Sequence, residues 1–278
     1  MRSDITVAMV RSTADWLKAR TKKYKPTVAI IVGSGLADSI PGLKNRLVIH
    51  YSKIPHFPCT TVKGHKGELI FGTYKGKDVV VMCGRFHYYE GYKLNVIPFP
   101  LRVFSLLGVK SLIVTAAVGS LKPAIKPGDL MVVSDHINLM GSNPLMGNHD
   151  PLFGEMFPDM SEAYDNALRK EALAAARKLR IKAMAGVYLA VTGPSYETPA
   201  EVRLYSFLGG SVAGMSVVPE VIAARQLNIK VLGICWVSNF TSGVIKSKVE
   251  HSEVLELGAK VSVKMKALIE RMLGSKNI

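Results

Sequence analysis

The chain has 278 residues, 48% of them hydrophobic, and a formal net charge of +15, enough length and apolar content for one domain with a full core. It carries no early basic segment followed by an apolar stretch and a small-residue cleavage site, and no apolar run long enough to cross a bilayer, so neither a secretory signal nor a membrane span is expected. The positive charge is scattered over Lys18, Lys22, Lys23, Lys63, Lys66, Lys75, Lys77, Lys246 and Lys248, without the basic, aromatic-interleaved run of a nucleic-acid surface, and it reads as a solubilising exterior. Cys59, Cys83 and Cys235 are odd in number, far apart and in apolar surroundings, which predicts reduced thiols in a cytoplasmic protein and neither a disulfide frame nor a zinc site.

Short β-branched runs bounded by glycine or proline predict strands over 27–32, 78–82, 111–115, 129–133, 186–191 and 230–237. Several are apolar nearly throughout, as in strands covered on both faces. A helical period over 161–179 carries Ala163, Ala167, Leu168, Leu173 and Ala176, with Ser161 as its cap. A looser apolar face (Leu255, Val261, Val263, Leu268, Met272) predicts a last helix over about 252–272. Strand and helix alternate, so the expected class is α/β: a single domain over residues 1–278 with a central mixed, largely parallel β-sheet flanked by helices. In such sheets ligands gather at strand ends, which is where the unusual polar segments fall.

Gly33-Ser34-Gly35 follows the first strand. Glycines let the backbone turn its amides towards an anion and Ser34 adds a hydroxyl, although a plain turn explains the segment as well. Gly84-Arg85-Phe86-His87-Tyr88-Tyr89-Glu90-Gly91-Tyr92 follows the second. Arg85 and His87 alternate and so point to one side of an extended backbone, offering a planar fork and a tunable donor to phosphate oxygens. Gly193-Pro194-Ser195-Tyr196-Glu197-Thr198 follows the strand over 186–191. Tyr196 offers a ring face to a heterocycle and Glu197 an acceptor for ring N–H groups; the competing reading is a helix start, with Ser195 as cap and Glu197 in the first turn. Asn239, after the last strand, donates and accepts at once, as the N7 and O6 edge of a purine requires. Alone it reads as a turn residue, and Gly214-Met215-Ser216 and His251 are unremarkable in isolation.

Taken together these segments resemble the trimeric purine nucleoside phosphorylases, the class that handles 6-oxopurines, over about residues 5–270. The resemblance is strongest in 84–92, in 193–198 with its continuation Pro199-Ala200-Glu201, and in Gly214-Met215-Ser216-Val217-Val218-Pro219-Glu220-Val221. It implies the nucleoside phosphorylase fold and phosphorolysis of inosine, guanosine and their deoxy forms to free base and (deoxy)ribose 1-phosphate in purine salvage. No metal or cofactor is implied, inorganic phosphate being a co-substrate. It further implies phosphate held by Ser34, Arg85, His87, the backbone at Ala117, and Ser216, with His65 on a loop that covers it. The implied ribose contacts are Tyr89, Met215 and His251, closed by Phe157 from a neighbouring subunit of a homotrimer. Tyr196, Ala213, Ala117, Glu197 and Asn239 are implied at the base, with Asn239, Glu197 and His87 as the catalytic group.

The chain departs from the family pattern at Ala116, Val118 and Ser120, and Gly119-Ser120-Leu121 resembles the methylthioadenosine phosphorylases, a sister group of the same fold. Asn239 and His251 pull towards 6-oxopurines with a free 5′-hydroxyl, since an unpaired buried polar group costs about 1–3 kcal/mol and so discriminates strongly. The expectation is therefore a 6-oxopurine phosphorylase. The alternatives are a methylthioadenosine phosphorylase and a nucleoside-binding homologue impaired in catalysis by the changes at 116, 118 and 120.

Overall fold

The computed structural model describes residues 5–62, 65–147, 150–245 and 251–278, without the side chains of residues 37 and 251–256. In chain order the elements are α1 (Val7–Arg20), β1 (Val28–Val32), β2 (Lys44–His50), β3 (Glu68–Tyr74), β4 (Lys77–Cys83), α2 (Phe99–Leu107), β5 (Ser111–Ser120), β6 (Leu130–Asn138), α3 (Asn166–Lys178), β7 (Ala183–Ala190), α4 (Pro199–Phe207), β8 (Val212–Gly214), α5 (Val218–Gln226), β9 (Lys230–Phe240) and α6 (His251–Leu273). The strands form one nine-stranded sheet in the order β2-β3-β4-β1-β5-β8-β7-β6-β9, and a further β5–β9 pairing curls its second half back on itself.

The sheet is mixed, as expected. β1 runs parallel to β4 and β5, β5 to β9, and β7 to both β6 and β8. Antiparallel pairs join β2 to β3, β3 to β4, β5 to β8 and β6 to β9. Period-two alternation sorts the β1 side chains between two cores. Ala29 and Ile31 pack with α1, α2 and α5, whereas Val28, Ile30 and Val32 pack with α3 and α6. Both faces are thus covered, which explains why the central strands read as nearly unbroken apolar runs.

Two local expectations are corrected. Helix α3 starts five residues after Ser161, with the Asp165 carboxylate as its cap, accepting from Leu168 N at 2.9 Å. The Ser161 hydroxyl instead donates to Asp159. The strand expected over 111–115 continues to Ser120, so Ala116, Val118 and Ser120, the positions that depart from the family pattern, lie in the far half of β5, paired with β9 and at its end also with β8.

Candidate active site

Because β1, β4, β5 and β9 are parallel neighbours, their C-terminal ends share one edge of the sheet. The segments after them converge there on a cavity of ≈ 170 Å³. It is lined by Ser34, Arg85, His87, Tyr89, Ala117, Tyr196, Glu197, Ala213, Met215, Ser216 and Asn239, all singled out in the sequence, and also by Ala116, Val118, Gly119, Gly214 and Ser238.

The inner wall is buried. Arg85 is only 2% exposed, and His87 and Ser216 are buried beside it. Arg85 Nη1 donates to Ser216 Oγ at 2.9 Å, its Nε forms an ion pair with Glu220 Oε1 at 3.2 Å, and neither Nε nor Nη2 makes a hydrogen bond among the described residues. Ser216 is held from behind by the fully buried Tyr188, whose hydroxyl accepts from Ser216 N at 3.2 Å. Glu90 Oε1 accepts from His87 N at 2.8 Å and lies 2.9 Å from His87 Nδ1, so it orients the ring. Burial pushes the Glu90 carboxyl up, but hydrogen bonds from the His87 side chain and from Thr61 bring it down to about 2. The Tyr89 ring stacks on His87 with centroids 4.6 Å apart, and burial, with the Glu90 charge, raises its phenol to about 12.

The Ser34 turn is fixed by close approach. A Cβ at Gly33 would sit 2.6 Å from Thr115 O, while Gly33 N donates to Thr115 Oγ1 and Trp236 Nε1 donates to Ser34 O. His65 does not line the cavity but clasps its edge: Nε2 is 2.9 Å from Ser34 Oγ, and Nδ1 is 3.2 Å from Arg85 N. Burial, then the neighbouring His87, lowers the His65 pKa to about 4, so the ring is neutral at physiological pH.

The outer rim is built differently. The β5–β9 ladder shifts register between Val118 and Gly119, so Ser238 is the extra residue of a bulge that re-aims Asn239 beside Gly119. Asn239 Oδ1 accepts from Ser238 Oγ at 2.6 Å, and one Nδ2 hydrogen goes to Phe240 O at 2.9 Å. The second Nδ2 hydrogen remains for a ligand. Gly193 has φ +64°, and a Cβ there would meet Met215 Sδ at 2.2 Å, so glycine is needed where the loop passes the Met215 side chain. Tyr196 is 80% exposed, and burial raises the Glu197 carboxyl above its ordinary value. The helix-start reading of this loop shifts by three residues. Thr198 is the cap of α4, boxed with Glu201, so neither Ser195 nor Glu197 is in the helix.

Phe157 does not enter this cavity; it is 83% exposed on the segment anchored by Gln226 Nε2, which donates to Glu155 O at 3.1 Å. The His251 side chain lies outside the described residues. The sequence reading gives no role to Glu90, Tyr188, Glu220 or Ser238. Glu90 had a signal, three residues after His87; so had Glu220, a lone charge in the apolar run 217–224. Tyr188 and Ser238 had none.

A mixed α/β sheet with a buried arginine–histidine–serine wall and a carboxylate–amide–aromatic rim at its strand ends has the frame of an enzyme acting on an anion and a polar ring compound. The sequence model of the phosphorylase superfamily matches residues 27–274. The purine nucleoside phosphorylase 1 of Geobacillus stearothermophilus is 46% identical over 267 residues, covering 95% of this chain and 97% of that protein. The mouse purine nucleoside phosphorylase is 42% identical over 282 residues, covering 99% and 97%. Among solved structures, the Schistosoma mansoni purine nucleoside phosphorylase in complex with adenosine superposes with a TM-score of 0.92 at 40% identity, covering 99% of both chains. The chain belongs to the phosphorylase superfamily.

Proposed function

We propose that this chain catalyses the phosphorolysis of 6-oxopurine nucleosides, inosine and guanosine with their deoxy forms, to free base and (deoxy)ribose 1-phosphate. The observation that carries the reading is the meeting, in one cavity, of Ser34, Arg85, His87 and Ser216 with Glu197 and Asn239. The first group offers convergent donors to a phosphate, with the Ala117 backbone beside them and His65 bracing Ser34. The second offers the two edges of a purine what they need: an acceptor at Glu197 for N1–H and an amide at Asn239 for N7 and O6. Tyr89 and Met215 line the same cavity and are read as ribose contacts, and His251 is assigned to the 5′ end of the ribose by the resemblance alone. Ala213 and Tyr196 flank the base.

In this reading the glycosidic bond breaks ahead of attack. Phosphate, fixed below C1′ by Arg85, His87, Ser34 and Ser216, stabilises the oxocarbenium-like sugar and then captures it. The departing purine gathers negative charge, which Asn239 at N7/O6 stabilises while Glu197 fixes N1. No cofactor or metal enters this scheme, and phosphate is the co-substrate. The Asn239 amide favours 6-oxopurines over methylthioadenosine, because its unused Nδ2 hydrogen is a donor that suits O6, while Oδ1 already accepts from Ser238 Oγ. Ser120, which pulls the other way in sequence, is fully buried and bonds to Lys122 O, away from the cavity.

Exposure of Phe157 supports the trimer in which it closes a neighbour's site, and a sedimentation run giving only monomer would remove that assignment. The free state of Cys59, Cys83 and Cys235 supports a cytoplasmic setting. The main test is conversion of inosine to hypoxanthine with and without phosphate, repeated with guanosine, adenosine and methylthioadenosine. Turnover is expected to need phosphate and to favour the 6-oxopurines. Base release undiminished in phosphate-free buffer would mean a hydrolase instead, and preference for methylthioadenosine would mean the sister activity.

A further inference from the structure

Glu220 belongs to no step of the proposed reaction and does not line the main cavity, yet it is 3% exposed and carries a carboxylate. It occupies the first turn of α5, where the helix dipole favours a negative charge. The turn before it is strained. Val217 has φ +69° and ψ −56°, and Val218 N donates to Ser216 O at 2.8 Å, closing a three-residue turn in a conformation that a β-branched residue rarely adopts. That turn brings Ser216 and Glu220 to two sides of one guanidinium: Ser216 Oγ takes Nη1 at 2.9 Å, and Glu220 Oε1 lies 3.2 Å from Nε. Behind the pair is a pocket of only ≈ 10 Å³, walled by Ile31, Met82, Ile97 and Leu101, so at most one water could solvate Arg85 from that side.

A guanidinium presents its donors in one plane, and fixing two of them fixes the direction of the rest. With Nε facing Glu220 Oε1 in an ion pair at 3.2 Å and Nη1 bonded to Ser216, Nη2 has neither an ion-pair nor a hydrogen-bond partner among the described residues and is left for an anion in the cavity. A long arginine without such holds would lose rotamer freedom on binding phosphate; here that freedom is already removed. We infer that Glu220 is a positioning residue for phosphate, acting through Arg85: with Ser216 it locks the guanidinium plane so that Nη2 faces the anion. This rests on the reading of Arg85 as a phosphate donor.

The test uses the full chain and initial rates of inosine phosphorolysis at varied phosphate, in Glu220→Ala, Glu220→Gln, Glu220→Asp and, as a control, Arg85→Ala. Glu220→Ala is expected to raise the KM for phosphate about 10- to 100-fold, the effect of losing one buried charged contact. The KM for inosine and the affinity for hypoxanthine alone are expected to stay at parent values. Glu220→Gln keeps an oxygen acceptor at the same reach and is expected to restore the phosphate KM to near the parent. Glu220→Asp keeps the charge but is one methylene short, and is expected to behave as Glu220→Ala. A phosphate KM unchanged in Glu220→Ala, a Gln variant as impaired as the Ala variant, or parallel shifts in the inosine and phosphate constants would each overturn the inference. If Glu220→Ala does not fold, the Gln and Asp variants decide: a split between them supports it, and equal constants overturn it. A raised phosphate KM in Arg85→Ala beside parent-like Glu220 variants sinks this inference alone, whereas an unchanged one sinks the phosphate reading of Arg85 as well.

Discussion

The inner wall and the outer rim of the cavity are made on opposite plans. At the wall, Arg85, His87 and Ser216 are buried and each is already bonded to a protein partner: Glu220, Glu90 and Tyr188 respectively. At the rim, Tyr196 is 80% exposed, and the only hydrogen bond that favours the Glu197 charge comes from its own backbone N–H. The two carboxylates record the difference. Hydrogen bonds outweigh burial at Glu90 and hold it at about 2, while burial dominates at Glu197 and raises it. A small, doubly charged anion rewards donors fixed in advance, because it has no surface of its own to order them. A flat heterocycle brings its own area and can order the rim as it binds, so a looser rim costs less there.

The largest effects should come from breaking the wall. Arg85→Ala removes the fork donor that the proposed reading gives to phosphate and leaves Glu220 buried without its partner. It is expected to lower kcat/KM at least about 100-fold, and to lower the unfolding free energy by about 3–5 kcal/mol. Rates with varied phosphate and denaturant midpoints check the two effects separately. The double change Arg85→Met/Glu220→Leu, which replaces the buried pair by apolar groups, is expected to recover most of the stability and none of the activity. Recovery of neither would mean that the wall is a packing feature first.

At the rim the expected effect is smaller and changes preference more than rate. Asn239→Asp turns the free amide donor into an acceptor, which suits a 6-amino group and opposes O6. The ratio of kcat/KM for inosine over adenosine is expected to fall about 10- to 100-fold, the range that one mismatched hydrogen bond commands. Equal losses on both substrates would show that Asn239 supports the bulge at Ser238 and does not read the base.

The wall was also more legible in the sequence than the frame behind it. Arg85 and His87 stand two apart at a strand end, and the Gly33-Ser34-Gly35 turn follows β1 directly, so local pattern was enough. Their supports were not, because contact partners distant in sequence leave no local trace: Glu220 is 135 residues from Arg85 and Tyr188 is 28 from Ser216. The same reason explains the misjudged end of β5. Gly119 and Ser120 look like a turn, but tertiary pairing with Ala213 and Val212 on one side and Asn239 and Phe240 on the other keeps them extended. Strand β2 is missing from the sequence reading because it is a largely exposed edge with weak apolar alternation. Helices α2, α4 and α5 are nine residues each, too short for a clear period. Helix α1 is different, since Val10, Ala14 and Leu17 do mark its buried face at helical spacing.

The finest expected difference between wall and rim is in pH. In the proposed reading Glu197 accepts from purine N1–H most strongly when ionised, and its pKa is raised above the ordinary 4.5, mainly by burial. As pH falls, the rim should therefore lose its acceptor before an ordinary carboxylate would, while Glu90 stays ionised down to about 2 and keeps His87 aimed. Their effects on folding have opposite signs. The raised Glu197 contributes stability below 4.5 that is lost as pH rises through its folded pKa, so its charge is a local cost at neutral pH, which a bound purine offsets in the proposed reading. The depressed Glu90 contributes stability above 4.5 that is lost as pH falls towards about 2. Hypoxanthine affinity, titrated calorimetrically in phosphate-free buffer to keep the titration of phosphate out of the profile, is expected to drop about five- to tenfold on acidification, with a midpoint above 4.5. In Glu197→Gln the same profile should be flat and everywhere weaker. An acid limb that survives in Glu197→Gln would move the titrating group elsewhere, and would leave Glu197 a rim residue without a role in reading the base.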